Sequence, residues 1–338
     1  MFSKRLSVYI TLCVWLVLLL APLFLDEWRV SQIAQLLTYG LFAISLAFIW
    51  GQAGILCFGQ AIFFGIGAYL MALVTLGRFP LIVESQWAGL LFAVIGPGIV
   101  AAVLGLFLFG GRGLSGAHFA IVTLCASVIA EVGARRWDFI GGFNGLLGVP
   151  PLMSPVTRKD MFLTSTETYY LVFVFTAASY LLVLWLSRSA FGTLLAAIRS
   201  NEFRTRFFGY DVVIFKLFAF IVSAMLAGLA GGLFTAQFGF VSPPLVGFAL
   251  STEVLIWVAV GGRSVLMAAM LGAMLVRSVE NTLSDTLGEY WLLTVGILFV
   301  IVVVFAPKGL FGGLLRLPAP SRFSQESKHL PPAANKSQ

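Results

Sequence analysis

Charge is scarce in this sequence. Asp, Glu, Lys and Arg together make up 10% of its 338 residues, where a water-soluble domain carries about a quarter. Hydrophobic residues supply 60% and the mean hydropathy is +1.01. No soluble fold can hide that much apolar surface, so lipid must be the solvent over much of the chain. Histidine is nearly absent. His118 and His329 are the only two, and neither sits in a metal-ligand spacing, which argues against a metal centre and for a structural His118. The three cysteines, Cys13, Cys57 and Cys125, are widely separated in apolar stretches. They read as small buried hydrophobes and give no disulfide framework. There is no G-x-x-x-x-G-K-[ST] loop and no Ser/His/Asp constellation, so neither ATP hydrolysis nor lipid-phase hydrolysis is expected of this chain. No cofactor is expected in it.

What remains is a series of apolar runs. They predict an all-α, polytopic transmembrane helical bundle of about ten membrane segments, one of them short or broken. The expected segments are 6–25, 30–50, 59–77, 88–109, 114–133, 168–187, 212–237, 246–260, 264–279 and 289–306. Crossing a bilayer takes roughly 20 helical residues, so 246–260 is the short one, ending at the turn Gly261-Gly262-Arg263. The first run follows Lys4 and Arg5 but lacks a small-residue cleavage site, and reads as a retained signal-anchor helix. The polar hinge Asp26-Glu27-Trp28-Arg29 separates it from the second.

The net charge of +7 is unevenly distributed. With ten segments, one side collects Lys4, Arg5, Arg112, Arg188, Arg199, Arg204, Arg206, Lys216, Arg263, Lys308, Arg316, Arg322, Lys328 and Lys336. The other takes most acids: Asp26, Glu27, Glu84, Glu131, Asp138, Asp160, Glu167, Glu280, Asp285 and Glu289. By the positive-inside rule both termini lie in the cytoplasm. Nucleic acid is not implied. The transmembrane domain then spans 1–311. It includes an external loop at 134–167, rich in Gly, Pro and Thr, and a basic cytoplasmic segment at 188–211. Within that segment, 194–208 has helical periodicity. A tail at 312–338 lacks hydrophobic patterning and is expected to be disordered.

Irregular backbone at membrane depth marks the candidate passage. Gly51-Gln52-Ala53-Gly54 interrupts two apolar runs, and Gln52 and Gln60 are costly in lipid unless they face protein, a cavity or water. The run admits two readings, a plain turn with a small-residue packing face or a broken helix lining a path. Glu253 lies in an apolar segment with no adjacent cation in sequence. It reads as a helix cap after Pro243-Pro244, or as a gating residue. Gly228, Gly231 and Gly232 form a packing patch. Outside, Gly141–Pro150 offers Phe143 and Asn144 as docking groups.

Several stretches together resemble a known family. They are GQAGILCFGQAIFFGIGAY at 51–69, WDFIGGFNGLLGVP at 137–150, RSAFGTLLAAIRSNEFRTRFFGYDVVIFKLFAFIVSAMLAGLAGGLF at 188–234, STEVLIWVAVGGR at 251–263 and FAPKGLFGG at 305–313. In order and spacing the chain is similar to LivM-type permease subunits of branched-chain amino acid ABC importers, with the urea-importer permease as a close relative. The resemblance implies that 194–211 docks on an ATPase, with Ala197, Arg199, Asn201, Glu202, Arg206 and Gly209 in the docking region. Glu202 would form interfacial ion pairs and Gly209 would end the helix. It also implies a second permease, two ATP-binding subunits using ATP and magnesium, and a periplasmic solute-binding protein. The expected site is a bacterial inner membrane, and the expected cargo a branched-chain amino acid or, alternatively, urea or a short amide. A secondary transporter, channel or scaffold is the rival reading. Family members carry a Leu-Ser-Leu-Gly-His-like run where this chain has Ile55–Gln60, so position 60 departs from the pattern.

Overall fold

The computed structural model describes residues 2–78, 85–110, 116–153, 162–287, 296 and 309–313, with side chains of 2–7 and 284–287 outside that set. The chain is a helical bundle. Its helices are α1 (Phe2–Phe24), α2 (Glu27–Phe48), α3 (Gln60–Thr75), α4 (Gln86–Phe109), α5 (Ala117–Arg136), α6 (Ser165–Arg188), α7 (Ala190–Ser200), α8 (Glu202–Phe207), α9 (Val212–Phe238), α10 (Phe248–Gly261) and α11 (Leu266–Leu287). A two-residue antiparallel ladder pairs β1 (Leu146–Leu147) with β2 (Phe240–Val241), with Leu146 opposite Val241.

Two helices form the core. The second half of α2, from Leu37 to Phe48, is buried on every side, and α9 packs against α2, α3 and α4. A helix apolar all round belongs inside a bundle. Small residues set how closely α9 approaches. A Cβ on Gly228 would overlap the Ala93 carbonyl and Pro97 of α4, and a Cβ on Gly67 would overlap Gly228 itself. Lipid supplies no hydrophobic drive between helices, so such close packing carries the association. Rings fill what the glycines leave. Phe64 meets Phe42 at 4.7 Å and Phe234 at 5.6 Å.

At one end of the bundle, hydrogen bonds pin the loops. Arg78 Nη1 donates to the Phe139 carbonyl at 2.6 Å, Gln86 Nε2 donates to the Pro151 carbonyl at 2.7 Å, and the Met153 N–H donates to Gln86 Oε1. A capping box starts α6: the Glu167 N–H donates to Thr164 Oγ1, and the Thr164 N–H donates to the Glu167 carboxylate. This satisfies two otherwise orphaned donors.

Helices occupy every expected segment up to residue 279, while the expected span 289–306 and the tail beyond 313 lie outside the described residues. Among the described residues five helices are long and apolar enough to cross a membrane. The pair α10 and α11, bent by 118° at their junction, adds a sixth if it is one broken span. Residues Val8–Phe24 of α1, and α3, are shorter apolar helices. About ten crossings are therefore not established. The expected burial of all three cysteines is corrected: Cys57 is buried, but Cys13 and Cys125 are exposed. The latter two sit on α1 and α5, whose outer faces are apolar and face away from the bundle.

Candidate functional site

The basic segment is two helices, not one. The periodicity of 194–208 suggests an unbroken helix, but Asn201 adopts extended geometry (φ −160°, ψ 99°), and its Oδ1 accepts the Arg204 N–H at 2.9 Å. Asparagine competes for backbone donors in this way, which favours an N-cap over a helix interior. Glu202 then falls in the first turn of α8, where the helix dipole favours a negative charge. At the other end Gly209 has φ +84°, and its N–H donates to the Arg206 carbonyl at 2.9 Å. It ends α8 as a left-handed cap.

Glu202 pairs within the chain. Its carboxylate accepts from Arg206 at 2.8 Å and from Lys216, in the first turns of α9, at 2.5 Å. Partial burial acts to raise the Glu202 pKa, but the hydrogen bonds and charges of Lys216 and Arg206 outweigh it and hold the carboxyl below its ordinary value. Lys216 itself is buried, so the pair fastens α8 to α9. In sequence Lys216 counts only among the basic residues of one side; a lone lysine at the start of an apolar run is the signal it offers. The outer face of α8 is unlike this inner one. Phe203, Phe207 and Phe208 are 72%, 78% and 75% exposed, with Arg204 beside them and the first two rings 5.0 Å apart. Ala197 is exposed on α7.

Arg199 is exposed as well, and it reaches the end of α2. Its guanidinium Nη1 donates to the Gly51 carbonyl, and its aliphatic stem covers Gly54 so closely that a Cβ there would overlap it. Residues Ile49–Ala53 form a π-turn continuing α2, closed by the Gly54 N–H donating to the Ile49 carbonyl, with Gly54 in the left-handed region (φ 72°). Such turns leave backbone groups displaced from the α-helical ladder. The interruption at Gly51–Gly54 is thus a genuine break before α3. Gln52, within it, is half-buried. A cavity of about 210 Å³ lies beneath, lined by Ala53, Gly54, Arg199, Asn201, Glu202 and Lys216 among others.

The π-turn also meets the α10–α11 elbow. A Cβ on Gly51 would overlap the Arg263 carbonyl oxygen, and the Arg263 guanidinium lies 5.3 Å from the Trp50 ring centre. The elbow is capped by the 309–313 stretch: the Leu310 N–H donates to the Val260 carbonyl at 2.8 Å, and the N–H groups of Phe311 and Gly312 donate to the Gly261 carbonyl. Three separately noted stretches, 51–54, 261–263 and 309–313, therefore converge on one place.

The remaining candidates lie elsewhere. Gln60 is fully buried, and its Nε2 donates to Ser45 Oγ and Ser223 Oγ, each at 3.0 Å, joining α2, α3 and α9. Glu253 is not a cap, because α10 begins at Phe248 after the N-cap Gly247. Nor does it lack a cation. Arg277 of α11 approaches it at 3.7 Å, hydrogen-bonds Glu280 at 2.9 Å and donates to the Tyr39 hydroxyl at 2.9 Å. Helix packing brings this partner to Glu253, which local sequence could not show. Glu280, expected at the acidic surface, is buried in the same network. Phe143 and Asn144 are exposed in a 3-10 turn, with the Arg135 guanidinium 5.7 Å from the Phe143 ring centre. Among the described residues no cluster of three His, Cys, Asp or Glu could hold a metal.

A family model described as "Branched-chain amino acid transport system / permease component" matches residues 29–303. The chain is 32% identical over 313 residues to the high-affinity branched-chain amino acid transport system permease protein LivM of Salmonella typhimurium, covering 86% of this chain and 71% of that protein. Escherichia coli LivM matches equally, at 32% over the same shares. The ribose import permease protein RbsC of Haemophilus influenzae is 28% identical over 140 residues, covering 39% of this chain and 42% of its own. No solved structure matches the chain. A membrane-embedded helical bundle, matched over most of its length by one family model and by two LivM proteins, belongs to the family of branched-chain amino acid transport permeases and is LivM-type.

Proposed function

We propose that this chain is one transmembrane subunit of a binding-protein-dependent ABC importer that carries branched-chain amino acids inward. The observation that carries the reading is the α8 surface. Three exposed phenylalanines and a basic rim sit on a helix fastened to core helix α9 by Glu202 and Lys216. A rigid apolar face at the end of a membrane bundle suits docking of a soluble partner. That partner is one of two ATP-binding subunits, in which ATP and magnesium are held and hydrolysed. A second permease completes the passage, and a periplasmic solute-binding protein delivers the cargo at the opposite end, beside Phe143 and Asn144. The chain has ten segments in a bacterial inner membrane, with both termini and α7–α8 cytoplasmic. Movement of α7–α8 on ATP binding switches access to the passage, with Gln52 and Glu253 on or near its wall and Gln60 in the packing behind it. The cargo for which the two LivM relatives are named favours a branched-chain amino acid over urea.

The test is uptake by the full complex in proteoliposomes, with leucine, isoleucine, valine and urea offered side by side. Uptake of the amino acids that needs both ATP and the binding protein is expected. Uptake by the isolated chain down a gradient, or uptake of urea alone, would overturn the reading.

A further inference from the structure

We infer that Arg199 is a positioning residue: it locks the α7–α8 segment to the π-turn at 49–53, and through that turn to the α10–α11 elbow. This rests on the importer reading, in which α7–α8 receives the movement of an ATPase. The resemblance implies a place for Arg199 in the docking region; the residue is exposed, and its guanidinium donates to the Gly51 carbonyl.

Contact is tight on both sides of the turn. On one side the Arg199 stem occupies the space where Gly54 lacks a side chain; on the other the Arg263 carbonyl occupies the space where Gly51 lacks one. Trp50, between α2 and Gly51, stacks against the Arg263 guanidinium. The turn touches α7 through Arg199 on one face and the elbow through Arg263 on the other, with the cavity of about 210 Å³ lined by Ala53, Gly54 and Arg199 beside the first contact. The π-turn suits the task, because its backbone offers the Gly51 carbonyl to a partner outside the helix. Beyond the elbow, α10 leads to Glu253 and α11 to Arg277, so a shift there moves the ion-pair network they share. The arrangement thus joins the cytoplasmic segment to the one charged network found between described membrane helices, by contact alone.

The experiment uses the complete complex in proteoliposomes, reading retention of ATPase subunits, ATP hydrolysis and uptake per ATP hydrolysed. Arg199→Met keeps the stem over Gly54 and removes the donor. It is expected to retain the partners and hydrolyse ATP, while uptake per ATP falls about tenfold, a typical coupling between distant sites. Arg199→Lys restores a charged donor and should recover most of the loss. Trp50→Leu breaks the second contact without touching the cytoplasmic surface and should uncouple in the same way. The double variant should be no worse than either single one, since both break one chain of contacts. Unchanged uptake per ATP in Arg199→Met would overturn the proposal. So would loss of ATPase subunits from Arg199→Met with retention in Trp50→Leu, which would make Arg199 a docking contact. Additive losses in the double variant would also overturn it. A wild-type complex without ATP-driven uptake would instead sink the importer reading, and is recognised before any variant is measured.

Discussion

Lys216, buried in the first turns of α9, places its ammonium 2.5 Å from the Glu202 carboxylate of α8. The two partners are not equally dependent on each other. Glu202 keeps Arg206 at 2.8 Å if Lys216 is lost, whereas Lys216 is buried, and Glu202 is its one carboxylate partner among the described residues. Glu202→Ala is therefore expected to cost more than Lys216→Met, because it leaves a buried charge without its partner, at a cost of about 3 kcal/mol. The double change Glu202→Gln with Lys216→Met should recover part of that. Thermal unfolding in detergent of the three variants checks the order.

The same pair gives α8 a pH dependence. Lys216 and Arg206 hold the Glu202 carboxyl below its ordinary value. A depressed carboxyl stabilises the folded state above the ordinary carboxylate range, and that contribution is lost as pH falls through the folded pKa. The wild-type chain should lose melting temperature on acidification from about pH 5 to about pH 3, below the ordinary carboxylate value. Glu202→Gln should lose less over the same range, and the difference between the two curves isolates Glu202. Parallel curves would show that the pair contributes nothing.

Arg277 answers for two carboxylates, Glu280 at 2.9 Å and Glu253 at 3.7 Å, and its guanidinium lies 4.3 Å from the Tyr39 ring centre. Arg277→Met strands both acids among apolar helices, and the expected loss is about 3–5 kcal/mol. Glu280 is buried, whereas the Glu253 side chain is 41% exposed and more loosely held. Adding Glu280→Gln to Arg277→Met should therefore rescue more stability than adding Glu253→Gln. Yield and melting of the purified chain measure it. Equal rescue by both would show that the network does not discriminate between the two acids.

Hydropathy alone located α1 to α6 and α9 to within a few residues, because lipid imposes long apolar runs. The elbow was legible too, since Gly261-Gly262-Arg263 cannot continue a membrane helix quietly. What the sequence hid was who meets whom. Glu253 looked unpartnered because Arg277 belongs to the next helix, and helices apolar all round carry no periodicity to say which face turns inward. The periodicity of 194–208 runs straight through Asn201, whose side chain caps a helix instead. The glycines at 51 and 54 admit either a plain turn or a break after α2, and the hydrogen bond from Arg199 to the Gly51 carbonyl depends on how α7 meets the π-turn. Side-chain direction at a helix surface follows from its neighbours, and one sequence does not name them.

The exposed rings of α8 separate docking from folding. Phe203 and Phe207 touch each other at 5.0 Å but are largely exposed, so replacing them removes little buried surface. The pair Phe203→Ser and Phe207→Ser should leave the melting temperature of the chain within a few degrees of wild type. If these rings anchor an ATPase subunit, the same change removes a central contact of that interface. Losses of 2 kcal/mol or more are usual for such anchors, equivalent to about thirtyfold weaker capture. Co-purification of the ATP-binding subunits with the double variant, compared with wild type at equal chain concentration, measures it. Full capture with normal stability would move the docking face away from α8. A large fall in melting temperature would mean that the rings are buried against this chain itself.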